Sequence, residues 1–284
     1  MIEVDFLFGL AFVWLVFAAV SDYKTREIPN WLNFSLVIFA LGFRFFYSLF
    51  SSGDFSFFYY GVLGYIAFFV LAEILYYSKV FAGGDATLMK SVGAVLPIFP
   101  ALSANIGFAL LFLFLFFFVG ALYGVFGSIF ISLKHFKKFK KGFGETFSKN
   151  KKGIILGEFF GLLLLIGGFY LQEFFFFGII VFLFPYFFVF LKSVDEYCMV
   201  HEVPVSKITP GDWLYEDVKI GSKTIKSNWN GLSEDEIKIL RKSKKKVLLK
   251  YGIIFAPVFL ISFVLLWITF EFNLFQFLLK IFGA

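Results

Sequence analysis

Long apolar runs broken by short polar punctuation dominate this chain, and the period of the pattern is that of buried or lipid-facing helix rather than of strand. A helix needs about 20 mostly apolar residues to cross a hydrocarbon layer of about 30 Å. Eight windows meet or approach that length: residues 4–21, 31–50, 57–77, 86–102, 105–133, 153–170, 174–191 and 251–270. The pattern predicts an all-α polytopic membrane protein with about eight transmembrane helices, six at the least. The fourth window opens on Thr87 and Lys90, and only Gln172 and Glu173 part the sixth from the seventh. That last pair reads either as two spans or as a re-entrant hairpin. Glu3 and Asp5 stand at the start of the first window, which lacks the basic flank and small-residue cleavage site of a secretory signal, so it reads as a span.

The polar stretch 193–250 has a different texture. Pro204, Pro210-Gly211-Asp212 and Asn230-Gly231 are turn signals, and the residues between them alternate enough for one or two short hairpins. Ser233 and Glu236 form a capping box ahead of Ile237, Ile239 and Leu240, predicting a short helix toward Lys244-Lys245-Lys246. This is a small cytoplasmic α+β segment. Past Phe270, the residues Phe272, Leu274, Phe275, Phe277 and Leu278 suit an amphipathic strip on the outer interface. The expected organisation is a catalytic membrane core over 1–133, a basic cytoplasmic loop over 134–152, a helical hairpin in the membrane over 153–192, the cytoplasmic segment 193–250, and a last span with interfacial tail over 251–284.

Composition agrees with a membrane protein: 60% of the residues are hydrophobic, 16% are charged, and 49 are Phe. Ordinary soluble domains are about 25% charged. A soluble enzyme, a disordered chain and a nucleic-acid binder are thereby excluded, and the net charge of +6 is read against the bilayer. With the N-terminus outside, 23 of the 26 Lys and Arg fall on cytoplasmic segments; Arg44 and Lys90 lie inside spans and Lys280 in the tail. Basic loops stay in the cytoplasm, so the chain is expected to be N-out and multi-pass in the cell membrane, with its basic loops near anionic lipid head groups. The single cysteine, Cys198, leaves no disulfide and no zinc site built on several thiolates. His135 and His201 stand alone in their loops, and no metal site is expected from them.

Ionisable residues at membrane depth are costly and call for a reason. Asp22 ends the first span and Asp85 follows Ala82-Gly83-Gly84 at the start of the fourth, and lysine counting alone puts both at the same cytoplasmic depth. Taken singly, Asp85 is an ordinary acidic residue at a helix N-terminus, and Asp22 an interfacial acid beside Lys24 or Arg26. Together they fit aspartyl proteolysis, in which two carboxyl groups share a proton because like charges about 3 Å apart cannot both ionise. One acts as base on the attacking water, the other as acid on the carbonyl oxygen, and no cofactor is needed. Gly83 and Gly84 would let a substrate backbone come close and leave backbone N–H groups free to donate.

The two segments resemble the prepilin and preflagellin peptidases, the Gly-x-Gly-Asp aspartyl proteases of type IV pilus and archaeal flagellum systems. Residues Asp22-Tyr23-Lys24-Thr25-Arg26-Glu27-Ile28-Pro29-Asn30 are close to that family's Asp-x-x-x-Arg-x-Ile-Pro-Asn pattern. In Ala82-Gly83-Gly84-Asp85 the family's first Gly is replaced by Ala82, another small residue, while Gly84 and Asp85 keep its Gly-Asp. A softer likeness to archaeal members lies over residues 252–260. The resemblance implies that Asp22 and Asp85 are the catalytic pair. It also implies substrates, pilin-like or flagellin precursors, whose short basic leader is cut ahead of an apolar helix at the cytoplasmic face. Bacterial members often add a cysteine-rich zinc loop and methylate the new N-terminus; with Cys198 alone, neither is expected here. The Lys-rich and Phe-rich composition suits an archaeal source. Glu27 is a candidate for meeting the basic leader, or else a loop charge pairing Lys24 or Arg26.

Of the remaining charges, Glu73 and Lys90 are expected to pair across the third and fourth spans, and Arg44 to snorkel outward. A presenilin-like intramembrane protease is the nearest rival, but its Pro-Ala-Leu triplet, matched by Pro100-Ala101-Leu102, falls at the outer end of the Asp85 span. A Mg²⁺-dependent lipid-phosphate transferase would need denser acidic clusters. A transporter would carry its ionisable residues near the midplane of an inverted repeat. A non-enzymatic transporter or scaffold remains the other class of reading.

Overall fold

The computed structural model describes residues 2–221, 223–242, 246–272 and 274. In chain order the helices are α1 (Ile2–Thr25), α2 (Asn30–Tyr47), α3 (Ser56–Tyr77), α4 (Gly83–Gly93), α5 (Leu102–Lys134), α6 (Phe136–Lys149), α7 (Lys151–Gly167), α8 (Gln172–Ser193), α9 (Glu234–Lys242) and α10 (Ala256–Glu271). The strands are β1 (Val200–Pro204), β2 (Trp213–Leu214), β3 (Val218–Ile220), β4 (Lys223–Ile225) and β5 (Lys246–Lys250). Among the described residues five helices are long and apolar enough to cross a membrane: α1, α2 with the π turn after it, α3, α5, and α8 with the π turn after it. Their outward faces are rich in exposed rings such as Phe114, Phe118, Phe126 and Phe184, a surface that water would not tolerate and a bilayer covers. The protein is an integral membrane protein, mostly helical, with a small strand-containing segment near its C-terminus.

The chain divides into two compact units, one of residues 1–124 with 254–284, the other of residues 125–253. In the first, Leu7 and Leu15 of α1, Leu36 of α2, Leu88 and Met89 of α4, Phe112 and Phe116 of α5, and Phe259 and Phe263 of α10 form the sealed core. The apolar window 86–102 does not become one helix. α4 ends after 11 residues, about 16 Å at 1.5 Å per residue, roughly half the hydrocarbon thickness. Pro97 and Pro100 cannot continue a helical ladder, and residues 94–101 run irregularly into α5. Pro100-Ala101-Leu102 therefore belongs to this connection and the first residue of α5, not to the Asp85 helix.

Backbone groups freed in such a segment need partners where water is scarce, and two side chains supply them. Arg44 donates from Nε to the Ala94 carbonyl (3.0 Å) and from Nη2 to the carbonyls of Val95 (2.8 Å) and Pro97, while its Nη1 reaches the Phe57 carbonyl (2.9 Å). Arg44 is thus fully buried, at 0% exposure, instead of snorkelling outward: the unwound carbonyls form a better site for its five donors than the distant interface. Asn105 brackets Phe99, accepting from its N–H and donating to its carbonyl, both at 2.8 Å. α4 packs on α3 at glycine-to-glycine distance, since a Cβ at Gly93 would stand 2.7 Å from the Gly64 carbonyl oxygen and 2.4 Å from the Phe68 Cβ. Beside this contact the expected Glu73–Lys90 ion pair forms, with the Lys90 ammonium 4.4 Å from the Phe69 ring centre.

In the second unit the basic stretch expected as a loop is largely helical: α6 turns Phe139, Phe143 and Phe147 toward α8, with Phe139 on Phe190 and Phe147 on Tyr186, and leaves its lysines outside. α7 and α8 form a closely packed antiparallel hairpin in which Gly161 abuts Phe182 and Gly168 abuts Phe175. The strand-bearing segment is a three-stranded antiparallel sheet, order β1-β5-β2, plus the hairpin β3-β4. Its core is Val205, Ile208, Leu214, Ile225, Leu232, Ile237, Leu240, Val247 and Leu249. The capping box forms as expected: the Ser233 N–H and hydroxyl both donate to the Glu236 carboxylate at the start of α9. Lys244 and Lys245 lie outside the described residues, and Lys246 opens β5. Of the expected interfacial tail, Phe275, Phe277, Leu278 and Lys280 are likewise outside them. His135 and His201 are not isolated: their ring centres lie 5.8 Å apart, because β1 brings His201 back beside the end of α5.

Candidate active site

Asp22 occupies the last turn of α1 at 8% exposure. The helix stops three residues later because Arg26 turns into the left-handed region (φ 58°) and Pro29 sets the extended entry to α2. The hydroxyls of Ser21 and Thr25 both donate to the Glu27 carbonyl, fixing the turn. An acid at a helix C-terminus faces the negative end of the dipole. Here the opposition is answered by another helix: Asp22 Oδ2 accepts the backbone N–H of Phe255 (3.2 Å) and of Ala256 (3.0 Å), donors at the start of α10 that have no intrahelical partner. Pro257 in that first turn completes a fixed N-terminus.

Asp85 lies in the first turn of α4, entered from Ala82 in extended conformation (ψ 163°). Its surroundings are close, and burial, joined by the charge of Asp22, raises its carboxyl to about 7, against a weaker opposing hydrogen bond from the Ala82 backbone. The two motif aspartates therefore lie within electrostatic reach of each other, brought together by the end of α1 and the start of α4. Gly83 is exposed, and a Cβ there would meet nothing within 4 Å; at Gly84 it would meet only Ile28, at 3.4 to 3.6 Å. A Cβ is thus accommodated at either position without displacing a neighbour. Glu27 is exposed at the outer corner of the same turn.

Two contributors escape a reading of the sequence. The N–H groups of Phe255 and Ala256 are backbone atoms more than 230 residues from Asp22. Tyr123, half-buried on α5, lies within electrostatic reach of Asp22 as well; the only signal for it is its place one turn beyond Gly120, where a Cβ would stand 3.2 Å from the Phe255 ring. Among the described residues no cluster of three or more His, Cys, Asp or Glu is arranged to hold a metal ion.

Residues 9–125, which carry both aspartates, match the type IV leader peptidase family. The likeness read from the Asp22 and Asp85 motifs thus extends over this region, and two preflagellin peptidases share it. The preflagellin peptidase of Methanocaldococcus jannaschii is 32% identical over 94 residues, covering 33% of this chain and 38% of the relative. That of Methanococcus maripaludis is 29% identical over 85 residues, 30% of this chain and 36% of the relative. The chain thus spans little more than a third of the length of the curated relatives it matches. No solved structure matches it.

Proposed function

We propose that this chain is a membrane-embedded aspartyl endopeptidase. It removes the short basic leader of type IV pilin-like or archaeal flagellin precursors at the cytoplasmic membrane face, with Asp22 and Asp85 as its catalytic pair. The observation that carries the reading is the approach of these two carboxyl groups from separate helix ends, inside the region shared with the leader peptidase family.

Asp22, already held as an acceptor by two backbone N–H groups, is the base, and Asp85, which keeps its proton to about pH 7, is the acid. Asp22 takes a proton from water as the water oxygen bonds to the scissile carbonyl carbon, and Asp85 gives its proton to the carbonyl oxygen. When the resulting diol collapses, the C–N bond breaks, Asp22 passes its proton to the leaving nitrogen, and Asp85 recovers a proton from the diol hydroxyl. Both groups end as they began. The exposed, side-chain-free edge at Gly83 is where an extended substrate backbone can lie beside Asp85, and the exposed Glu27 carboxylate would meet the basic leader.

The test is incubation of the detergent-solubilised protein with a precursor bearing a Lys/Arg-Gly leader ahead of an apolar helix, followed by determination of the product N-terminus. A single cut ahead of the apolar helix, absent in Asp22→Asn and Asp85→Asn, is expected. Cleavage that persists in either variant rules the dyad out.

A further inference from the structure

We propose that Asn33 and Thr87 are positioning residues for Asp85, forming a hydrogen-bonded clamp that ties the aspartate's helical turn to α2; the inference rests on Asp85 being catalytic. Asn33, 2% exposed in the first turn of α2, donates from Nδ2 to Thr87 Oγ1 at 2.7 Å. Thr87 Oγ1 in turn donates to the carbonyls of Gly84 (2.9 Å) and Gly83 (3.2 Å), the two peptide groups that lead into Asp85. One turn further on, the Ser91 hydroxyl bridges the Asn33 carbonyl (3.0 Å) and the Thr87 carbonyl (2.9 Å), so the helices are tied twice.

A turn that opens on two glycines is the loosest kind, each costing about 1 kcal/mol of helix stability relative to Ala. Here the looseness lies directly before a group whose chemistry demands fixed geometry. A relay from α2 into those peptides removes it. Simple cohesion does not explain the arrangement, because Val or Leu would join two apolar helices without desolvating an amide. The amide is indeed incompletely used: Asn33 Oδ1 is buried with no hydrogen-bond partner, a cost of roughly 1–3 kcal/mol. A contact selected for stability alone would shed that atom. The clamp also links the two sequence motifs, since Asn33 stands three residues past the Ile28-Pro29-Asn30 turn, and Ile28 itself lies against Gly84.

The experiment compares the full-length parent with Thr87→Val, which keeps shape and loses the hydroxyl, Thr87→Ser, which restores it, Asn33→Ala, and the Asn33→Ala/Thr87→Val double variant. The readouts are kcat and KM on a leader-bearing precursor and the thermal unfolding midpoint. Thr87→Val is expected to lose about tenfold or more in kcat, the scale of a misplacement near 1 Å or less, with KM within about twofold. Thr87→Ser recovers most of the loss, and the double variant is no worse than the poorer single one, because both act through one relay. A kcat for Thr87→Val within twofold of the parent, a loss that Thr87→Ser does not repair, or additive losses in the double variant each overturn the clamp. Should Thr87→Val fail to accumulate, Asn33→Ala is judged by the same kcat criterion. Activity surviving in Asp85→Asn overturns the catalytic reading and the clamp together, whereas an inert Asp85→Asn beside an unimpaired Thr87→Val overturns the clamp alone.

Discussion

Asp22 and Asp85 stand at opposite poles of their helices. Asp22 ends α1, where the dipole opposes a negative charge, and is held by two N–H donors from the start of α10. Asp85 begins α4, where the dipole favours a negative charge, yet it is raised to about 7 by burial and by Asp22. Sequence position alone would assign the readier ionisation to Asp85. Burial and the charge of Asp22 override the dipole at Asp85, and in the proposed dyad these unlike surroundings serve two different tasks.

The largest effect that tests this contrast is loss of both tasks: Asp22→Asn and Asp85→Asn should each lower turnover by about a thousandfold or more while leaving abundance and membrane insertion intact. Next comes the pH profile. If Asp85 is the acid, kcat falls about tenfold per pH unit above 7 as its proton is lost. The same raised carboxyl stabilises the folded state fully below the ordinary carboxylate range and loses that contribution as pH rises through about 7. Asp85→Asn should flatten that stability profile, which thermal unfolding across pH 4–8 would record. A smaller change comes from the far end of α4: Arg44→Met strands the carbonyls of Ala94, Val95, Pro97 and Phe57 and should cost about 3 kcal/mol or more, read as a lowered unfolding midpoint. Smallest is Glu27→Gln, an exposed charge, expected to raise KM for a basic leader a few-fold, about 0.5–1 kcal/mol, with kcat unchanged.

Much of this could be read from the residues, and what could not has a physical cause. The membrane class, the Glu73–Lys90 pair and the Ser233–Glu236 cap all rest on local spacing or bulk composition, which a sequence displays. The break in the fourth window was visible in Pro97 and Pro100, yet the apolar run concealed it, since hydropathy counts side chains and not hydrogen-bonding ladders. Arg44 was misread because its partners are main-chain carbonyls, which carry no letter in a sequence. The support for Asp22 was out of view for the same reason, and Tyr123 is one of 13 tyrosines with nothing local to set it apart. The motif aspartates drew notice only as a pair, since each taken singly has an ordinary explanation at a helix end while two costly charges at one depth call for a reason.

The bonds from α10 to Asp22 also set an order of events during synthesis. A growing chain presents Asp22 early, but its two donors are made 233 and 234 residues later. At translation rates of about 5–20 residues per second, the carboxylate waits on the order of ten seconds or more before the last helix arrives to hold it. During that interval the first four helices can enter the bilayer with the Asp22 carboxylate not yet held by α10.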